Sequence, residues 1–147
     1  MSWWLCVAGT GERPYSEAAR LARPERHRFP RRPRIAAGDR LVIYAAGSAR
    51  EYGEGRVFAL EECVSDEPYP SGHERWRWEV ATRRELSLTL PLAPTLLDIG
   101  VSTRSIGRHS HIRLTDRQGE LAEEAFAELS HSARPVRLGG TTPKEER

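Results

Sequence analysis

Lysine is nearly absent from this chain of 147 residues, in which Lys144 is the only lysine and the other permanently charged basic side chains are arginines. Cysteine is scarce as well, with Cys6 and Cys63 alone. Both lie in apolar, strand-like runs, so we expect reduced, buried thiols. No apolar run approaches the roughly 20 residues that cross a bilayer. The first residues have no basic start and no long apolar stretch, so we expect no signal peptide, no membrane partner and a cytoplasmic location.

Motifs of common catalytic sites are also missing. The sequence has no Gly-x-Ser-x-Gly and no phosphate-cradling glycine loop, and Cys63 has no evident base partner nearby. His109 and His111 have a spacing that zinc tolerates, but no third or fourth ligand is evident. With Arg108, they are better explained as the border of a polar pocket or as partners of phosphate. Nothing in the sequence supports a catalytic role for Asp39, Glu61 or Glu62. We therefore expect no enzymatic activity, no metal and no cofactor.

The charge is small in total but unevenly distributed. The formal net charge is +2, and the mix of 38% hydrophobic and 30% charged residues suits one folded, soluble domain. Arginines cluster between positions 20 and 40, at Arg20, Arg23, Arg26, Arg28, Arg31, Arg32, Arg34 and Arg40. A GC-rich genome would explain the choice of arginine over lysine, but not this clustering. Concentrated guanidinium groups are typical of phosphate binding, because each can engage phosphate oxygens bidentately.

Short β-strands are the main predicted elements. Stretches rich in β-branched, aromatic and other apolar residues predict strands at 3–7, 40–46, 56–64, 75–83 and 86–92. Trp76 and Trp78 alternate with charged residues, so one face of their strand carries both tryptophans and the other face is charged. The run 23–34 contains three prolines and predicts a loop, long enough to suggest a function.

Helices are predicted near both ends. Ser16 is a suitable N-cap for a short helix that ends at Ala22. Thr115 and Gln118 have the spacing of a capping box, and an amphipathic helix follows them. Apolar content is lost after Ser130, so we expect one domain at 1–130 and a disordered tail at 131–147. The pattern predicts an α+β fold, a small mixed and mostly antiparallel β-barrel decorated by short helices and a C-terminal helix.

An ordered set of motifs resembles the EVE domain family. It begins with WLCV at 4–7 and the basic loop, continues with GDRLVIY at 38–44 and GRVFAL at 55–60, and reaches SDEPY at 65–69. The segment RSIGRHSHIRLT at 104–115 resembles the family's last strand, and the acidic helix after it resembles the family's C-terminal helix. The resemblance extends from about Trp3 to Leu129. This family belongs to the PUA-like superfamily, to which the YTH readers of methylated adenine are related, so the resemblance implies a PUA-like barrel.

The resemblance also implies a nucleic-acid partner and an aromatic pocket for one modified base, with modified cytosine in DNA expected first and RNA as an alternative. The family's basic loop is often preceded by a Trp-Gly pair, where this chain has Leu21 and Ala22, so the pocket must use other aromatic side chains. The predicted base pocket consists of Trp3, Trp4, Tyr44, Ser48, Trp76 and Trp78. The predicted phosphate-binding residues are Arg26, His27, Arg28, Arg31, Arg32, Arg108 and His109.

Several alternatives accompany this interpretation. Each tryptophan is also a candidate for the core, since tryptophan is mostly buried and a barrel needs large side chains. Trp3 and Trp4 point to opposite faces of a strand, so at most one joins the core from that face and the other is a candidate stacking platform. A solvated loop is the alternative for the run that begins at Arg26.

Other classes of function also remain open. Small hydrolases of the related ASCH branch use a pocket lysine, but Lys144 lies in the predicted tail. A protein-interaction module, or a subunit of a restriction- or toxin-type system, would expose a large apolar patch instead of a basic one. We expect a monomer that binds nucleic acid.

Overall fold

A computed structural model describes residues 1–133 of the chain. Seven strands form one sheet: β1 (Trp3–Ala8), β2 (Arg26–Phe29), β3 (Arg40–Ala45), β4 (Val57–Cys63), β5 (Tyr69–Pro70), β6 (Trp78–Ser87) and β7 (His111–Leu114). Their order is β2-β6-β4-β3-β1-β7, and β5 pairs separately with β6. β1 and β3 are parallel, and all other pairs of strands are antiparallel.

The long strand β6 carries the sheet through a curl. Its second half pairs with β4, whereas its first half pairs with β2 and β5. The two edges of the sheet consequently approach each other. The ring of Phe29 on β2 meets the ring of His111 on β7 edge-on, with 5.0 Å between their centroids, and His27 hydrogen-bonds to the backbone of Val7 on β1. This curled, mixed and mostly antiparallel sheet with its short helices confirms the predicted α+β fold class.

The arginine-rich segment is more regular than predicted. Residues 26–29 form an edge strand in which His27 and Phe29 are buried, so the prediction of a continuous loop at 23–34 was wrong. Pro24 and Pro30 lie outside the strand, in agreement with the rule that proline avoids strand interiors. Because they lie so close to it, the whole segment has the composition of a loop. The predicted strand at 86–92 is also corrected, because β6 ends at Ser87 and a 3₁₀ turn follows at Leu90–Leu92.

Four α-helices decorate the described part of the sheet: α1 (Glu17–Leu21), α2 (Ser48–Tyr52), α3 (Thr103–Ile106) and α4 (Asp116–Ala133). Both predicted caps are confirmed: Ser16 Oγ accepts from the amide of Ala19, and Thr115 and Gln118 exchange the hydrogen bonds of a capping box. α4 runs three residues beyond the predicted domain boundary, and residues 134–147 of the predicted tail lie outside the described residues. None of the helices within 1–133 has the length and apolar character to cross a membrane.

Helix α4 packs closely on the first strand. A Cβ at Gly119 would overlap the indole ring of Trp3, so the helix can approach the sheet there only with glycine. The Arg40 guanidinium lies 4.5 Å from the centroid of the same ring and pairs with Glu85 and Glu123. Trp3 is therefore enclosed between the sheet, the helix and an arginine.

The interior of the curl holds a buried ion cluster. Glu61 is fully buried and pairs with Arg23 at 2.9 Å and with Arg84 at 3.2 Å. Burial acts to lower the pKa of Arg23, but its hydrogen bonds and ion pair with Glu61 outweigh burial and raise that pKa. His27 Nδ1 lies 3.0 Å from the Arg23 guanidinium. Both cysteines are buried and free, as predicted.

Candidate functional site

A cleft of about 880 Å³ opens beside the carboxyl ends of the parallel strands β1 and β3. Its volume falls within the roughly 300–1,000 Å³ typical of small-ligand sites. Five stretches of the chain meet there: the end of β1 with the turn after it, the residues after β2, the end of β3 with the residues after it, the loop before β6, and α3 with the residues up to β7. The lining residues are Val7, Gly9, Thr10, Gly11, Pro30, Arg31, Tyr44, Ala46, Gly47, Arg75, Trp76, Thr103, Ile106, Gly107, Arg108, His109, Ser110 and His111.

Two aromatic residues predicted for a base pocket, Tyr44 and Trp76, line this cleft. Tyr44 is at the end of β3 and is largely covered by the core; burial raises the pKa of its hydroxyl, and a hydrogen bond with Ser48 partly offsets that rise. Trp76 lies at the tip of the hairpin that joins β5 to β6 and is half-buried. Trp76 therefore has the larger free aromatic face.

Three exposed arginines give the cleft its charge: Arg31 after β2, Arg75 beside Trp76, and Arg108 before β7. None of them has an ion pair within residues 1–133. The Arg75 guanidinium lies 5.8 Å from the centroid of the Trp76 ring, within cation–π distance. No carboxylate belongs to the described lining, so the local field favours an anion.

Two histidines complete the polar wall. His109 is exposed, and His111 is half-buried with its Nδ1 2.9 Å from the Ser110 hydroxyl oxygen. Burial, and secondarily His109, lower the pKa of His111, which therefore presents a neutral imidazole near pH 7. Among residues 1–133, no group of three or more His, Cys, Asp or Glu side chains is arranged to hold a metal ion.

Trp3 and Trp4 do not take part in the cleft, contrary to the sequence prediction. Their exposed fractions are 4% and 9%. The two side chains point to opposite faces of β1, as expected, but both faces are covered. Helix α4 encloses Trp3, whereas Trp4 donates its Nε1–H to Asp39 and contacts the ring of His111. Neither indole is free to stack on a base.

Ser48 has a structural role at the start of α2 instead of a role in recognition. Its side chain is fully buried, and its hydroxyl donates to the carbonyl of Ala45 at 2.7 Å. The same oxygen accepts from the backbone amide of Arg56 at 2.8 Å. The hydroxyl therefore links the end of β3 to the start of β4. The prediction that Ser48 belongs to the base pocket was wrong.

The basic residues of β2 are also occupied. Arg28 hydrogen-bonds to Glu79 at 2.9 Å, and Arg26 lies 3.9 Å from the same carboxylate. Burial acts to raise the pKa of Glu79, but hydrogen bonds from Arg28 and Tyr69 lower it. His27 is 5% exposed and points into the curl, so the prediction that it binds phosphate is corrected.

Trp78 and Arg32 form a separate pair outside the cleft. Trp78 packs against the core as a half-buried side chain, and the Arg32 guanidinium lies 4.9 Å from its ring centroid. Arg32 also pairs with the exposed Glu67. The alternating pattern predicted that one face of a strand carries both Trp76 and Trp78. This was wrong for Trp76, because β6 begins only at Trp78 and Trp76 lies in the loop before it.

Some residues that line the cleft were not predicted from the sequence. Arg75 was predicted to lie on the charged face of the strand at 75–83. Its position next to Trp76 was the one sequence signal that could have placed it in the cleft. His109 and His111 line the cleft together with Arg108, where the sequence favoured a polar pocket or phosphate pairing over zinc. The turn of Gly9, Thr10 and Gly11 after β1 also lines the cleft, and turns beside strand ends are frequent places for ligand binding.

Known structures share this fold. A protein from Rhodopseudomonas palustris, solved by NMR, superposes with a TM-score of 0.58 and 16% identity over 91% of this chain and 99% of its own. A hypothetical protein from Leishmania major superposes with a TM-score of 0.56 and 12% identity, over 88% of this chain and 97% of its own. The DUF55 domain of human thymocyte nuclear protein 1 gives a TM-score of 0.49 and 12% identity, over 91% and 100%. No protein-family model and no curated protein matches the chain.

Proposed function

We propose that this chain is a non-catalytic nucleic-acid-binding domain that holds one modified base, modified cytosine in DNA, in the cleft beside β1 and β3. The observation that carries the proposal is the combination of a half-exposed tryptophan, Trp76, with three arginines that lack ion pairs in the described chain. Stacking surfaces next to phosphate-binding cations are the two components that single-stranded or flipped nucleotides require. The preference for modified cytosine rests on the resemblance to the EVE family.

Stacking on one tryptophan offsets only part of the free-energy cost of holding a flipped base. Taking a base out of a duplex costs a few kcal/mol, and stacking on one aromatic side chain returns about 1–3 kcal/mol. Hydrogen bonds to the base edge must supply the rest, and the cleft lining offers the Ser110–His111 pair and the backbone of Gly9, Thr10 and Gly11 for them. Arg31, Arg75 and Arg108 would contact the flanking phosphates, which fix position without reading sequence.

The buried carboxylates support a non-catalytic role. Asp39 accepts hydrogen bonds from the amides of Ser2 and Ala36 and from the Trp4 indole. Glu61 is held between two arginines. Both acids are engaged in holding the fold together and neither lines the cleft, so neither is placed to act on a bound ligand.

Fluorescence anisotropy with labelled oligonucleotides tests the proposal. The panel contains single- and double-stranded DNA with cytosine, 5-methylcytosine, 5-hydroxymethylcytosine or N6-methyladenine at one position, together with the matching RNA. We expect the strongest binding with a modified cytosine. Equal affinity for all the DNA probes would refute base reading, and tighter binding to RNA would refute the choice of DNA.

Substitutions of Trp76 separate stacking from background binding. Trp76→Ala should weaken binding to the preferred base about 5- to 150-fold, which corresponds to the loss of about 1–3 kcal/mol of stacking. Trp76→Phe keeps an aromatic face and should retain most of the preference. If Trp76→Ala binds every probe as the wild type does, the base does not lie in this cleft.

A further inference from the structure

The hairpin tip that carries Trp76 is held by an unusual local cap. Residues 71–77 connect β5 to β6, and the amide of Ser71 donates to the carbonyl of Arg77 at 2.9 Å to close the loop. Inside the loop, Nδ1 of His73 accepts two backbone hydrogen bonds, from Arg75 at 3.1 Å and from Trp76 at 3.0 Å. The side chain of Ser71 accepts from the amide of His73 and donates to the carbonyl of Trp76.

These bonds fix the two tip residues that line the cleft. Trp76 is held at both its amide and its carbonyl, and Arg75 is held at its amide. The same imidazole nitrogen accepts from residues two and three positions ahead, which is the pattern that an Asn or Asp oxygen forms in an Asx turn. His73 must carry its proton on Nε2 for this, because a protonated Nδ1 has no lone pair to accept with.

His73 itself is exposed and does not belong to the hydrophobic core. Core packing therefore does not explain its position, and its hydrogen bonds act only on the tip. A residue of this kind affects ligand binding through the side chains that it orients.

We propose that His73 is a positioning residue of the cleft: its neutral imidazole caps the hairpin tip and thereby holds the Trp76 ring and the Arg75 guanidinium in place for a bound nucleotide. This inference rests on the proposed function for the identity of the ligand. It assigns no contact between His73 and the ligand, so the effect of His73 on binding passes entirely through Trp76 and Arg75.

Two substitutions of similar size test the cap. His73→Asn places an oxygen acceptor where Nδ1 lies and should preserve the cap, whereas His73→Leu removes the acceptor. Amide hydrogen exchange, measured by NMR without ligand, should show protection at Arg75 and Trp76 falling about 5- to 10-fold in His73→Leu and changing little in His73→Asn. Unchanged protection in His73→Leu would overturn the inference.

The binding panel supplies the second readout. His73→Leu should lose at least about 5-fold of the preference for the modified base, and His73→Asn should restore it to nearly the wild-type value. Faster exchange with full base preference in His73→Leu would overturn the positioning role. A wild-type chain without base preference would instead be a failure of the proposed function, which is recognised before any substitution is made.

Discussion

The salt dependence of nucleic-acid binding should come from the cleft arginines and not from those of β2. Each neutralised phosphate adds about −0.9 to the slope of log K against log salt for duplex DNA, and about −0.7 for a single strand. Arg31, Arg75 and Arg108 have no ion pairs in the described chain, so each is available for one phosphate. Replacing all three with Ala should therefore flatten the slope by about 2 to 3.

The arginines of β2 provide a matched control. Arg26 and Arg28 both lie within 4 Å of Glu79, so a phosphate would have to compete with an existing carboxylate. The Arg26→Ala, Arg28→Ala double variant should change the slope by less than one phosphate contact. The assay is anisotropy with one duplex between about 50 and 200 mM salt, where the slope is well defined. An unchanged slope in the triple variant, or a large change in the β2 variant, would refute the assignment.

Three further predictions concern the folded state. Burial raises the pKa of the Cys6 and Cys63 thiols, so a thiol reagent should label the native protein slowly and the unfolded protein quickly; rapid native labelling of Cys63 would contradict this. Burial, and then the charge of Arg23, hold the pKa of His27 well below its ordinary 6.5. Below about pH 6.5 the His27 imidazole therefore takes up a proton in the unfolded chain but not in the folded chain. The free energy of unfolding, measured by denaturant titration, should fall by up to about 1.4 kcal/mol per pH unit in that range. His27→Gln should reduce that dependence, and an unchanged dependence in this variant would contradict the assignment to His27. Glu61→Ala leaves Arg23 buried without its partner and should lower the free energy of unfolding, measured by urea titration, by about 3–5 kcal/mol. The control Glu62→Ala, in a more exposed pair, should lower it by less than about 1 kcal/mol, and equal losses would contradict the role of the cluster.

Local patterns predicted the elements whose sequence signals act over a few residues. The caps at Ser16 and Thr115 depend on side chains three residues away, and both were found where the spacing indicated. The fold class followed from the order of short strands and from the terminal helix. The edge strand β2 was missed because its four residues lie between prolines, so the composition of the whole segment concealed it.

The candidate site was only partly predictable, since it depends on long-range contacts. Trp3 and Trp76 are both tryptophans near strand ends, and Trp3 is the buried one because helix α4 and Arg40 pack on its ring. Arg28 is engaged in an ion pair with Glu79, which lies 51 positions away in the chain. Pairing between distant residues therefore decided which members of the arginine cluster remain available for a ligand.

Mapping where a nucleic acid contacts the protein is the most direct test of binding in the cleft beside β1 and β3. An oligonucleotide with one 5-methylcytosine is added to isotope-labelled protein, and chemical-shift changes are followed by NMR. We expect the largest changes at the Trp76 indole Nε1–H and at the amides of Gly9, Gly11 and Gly107, which line the cleft. Changes centred on α4, with these signals unmoved, would contradict it.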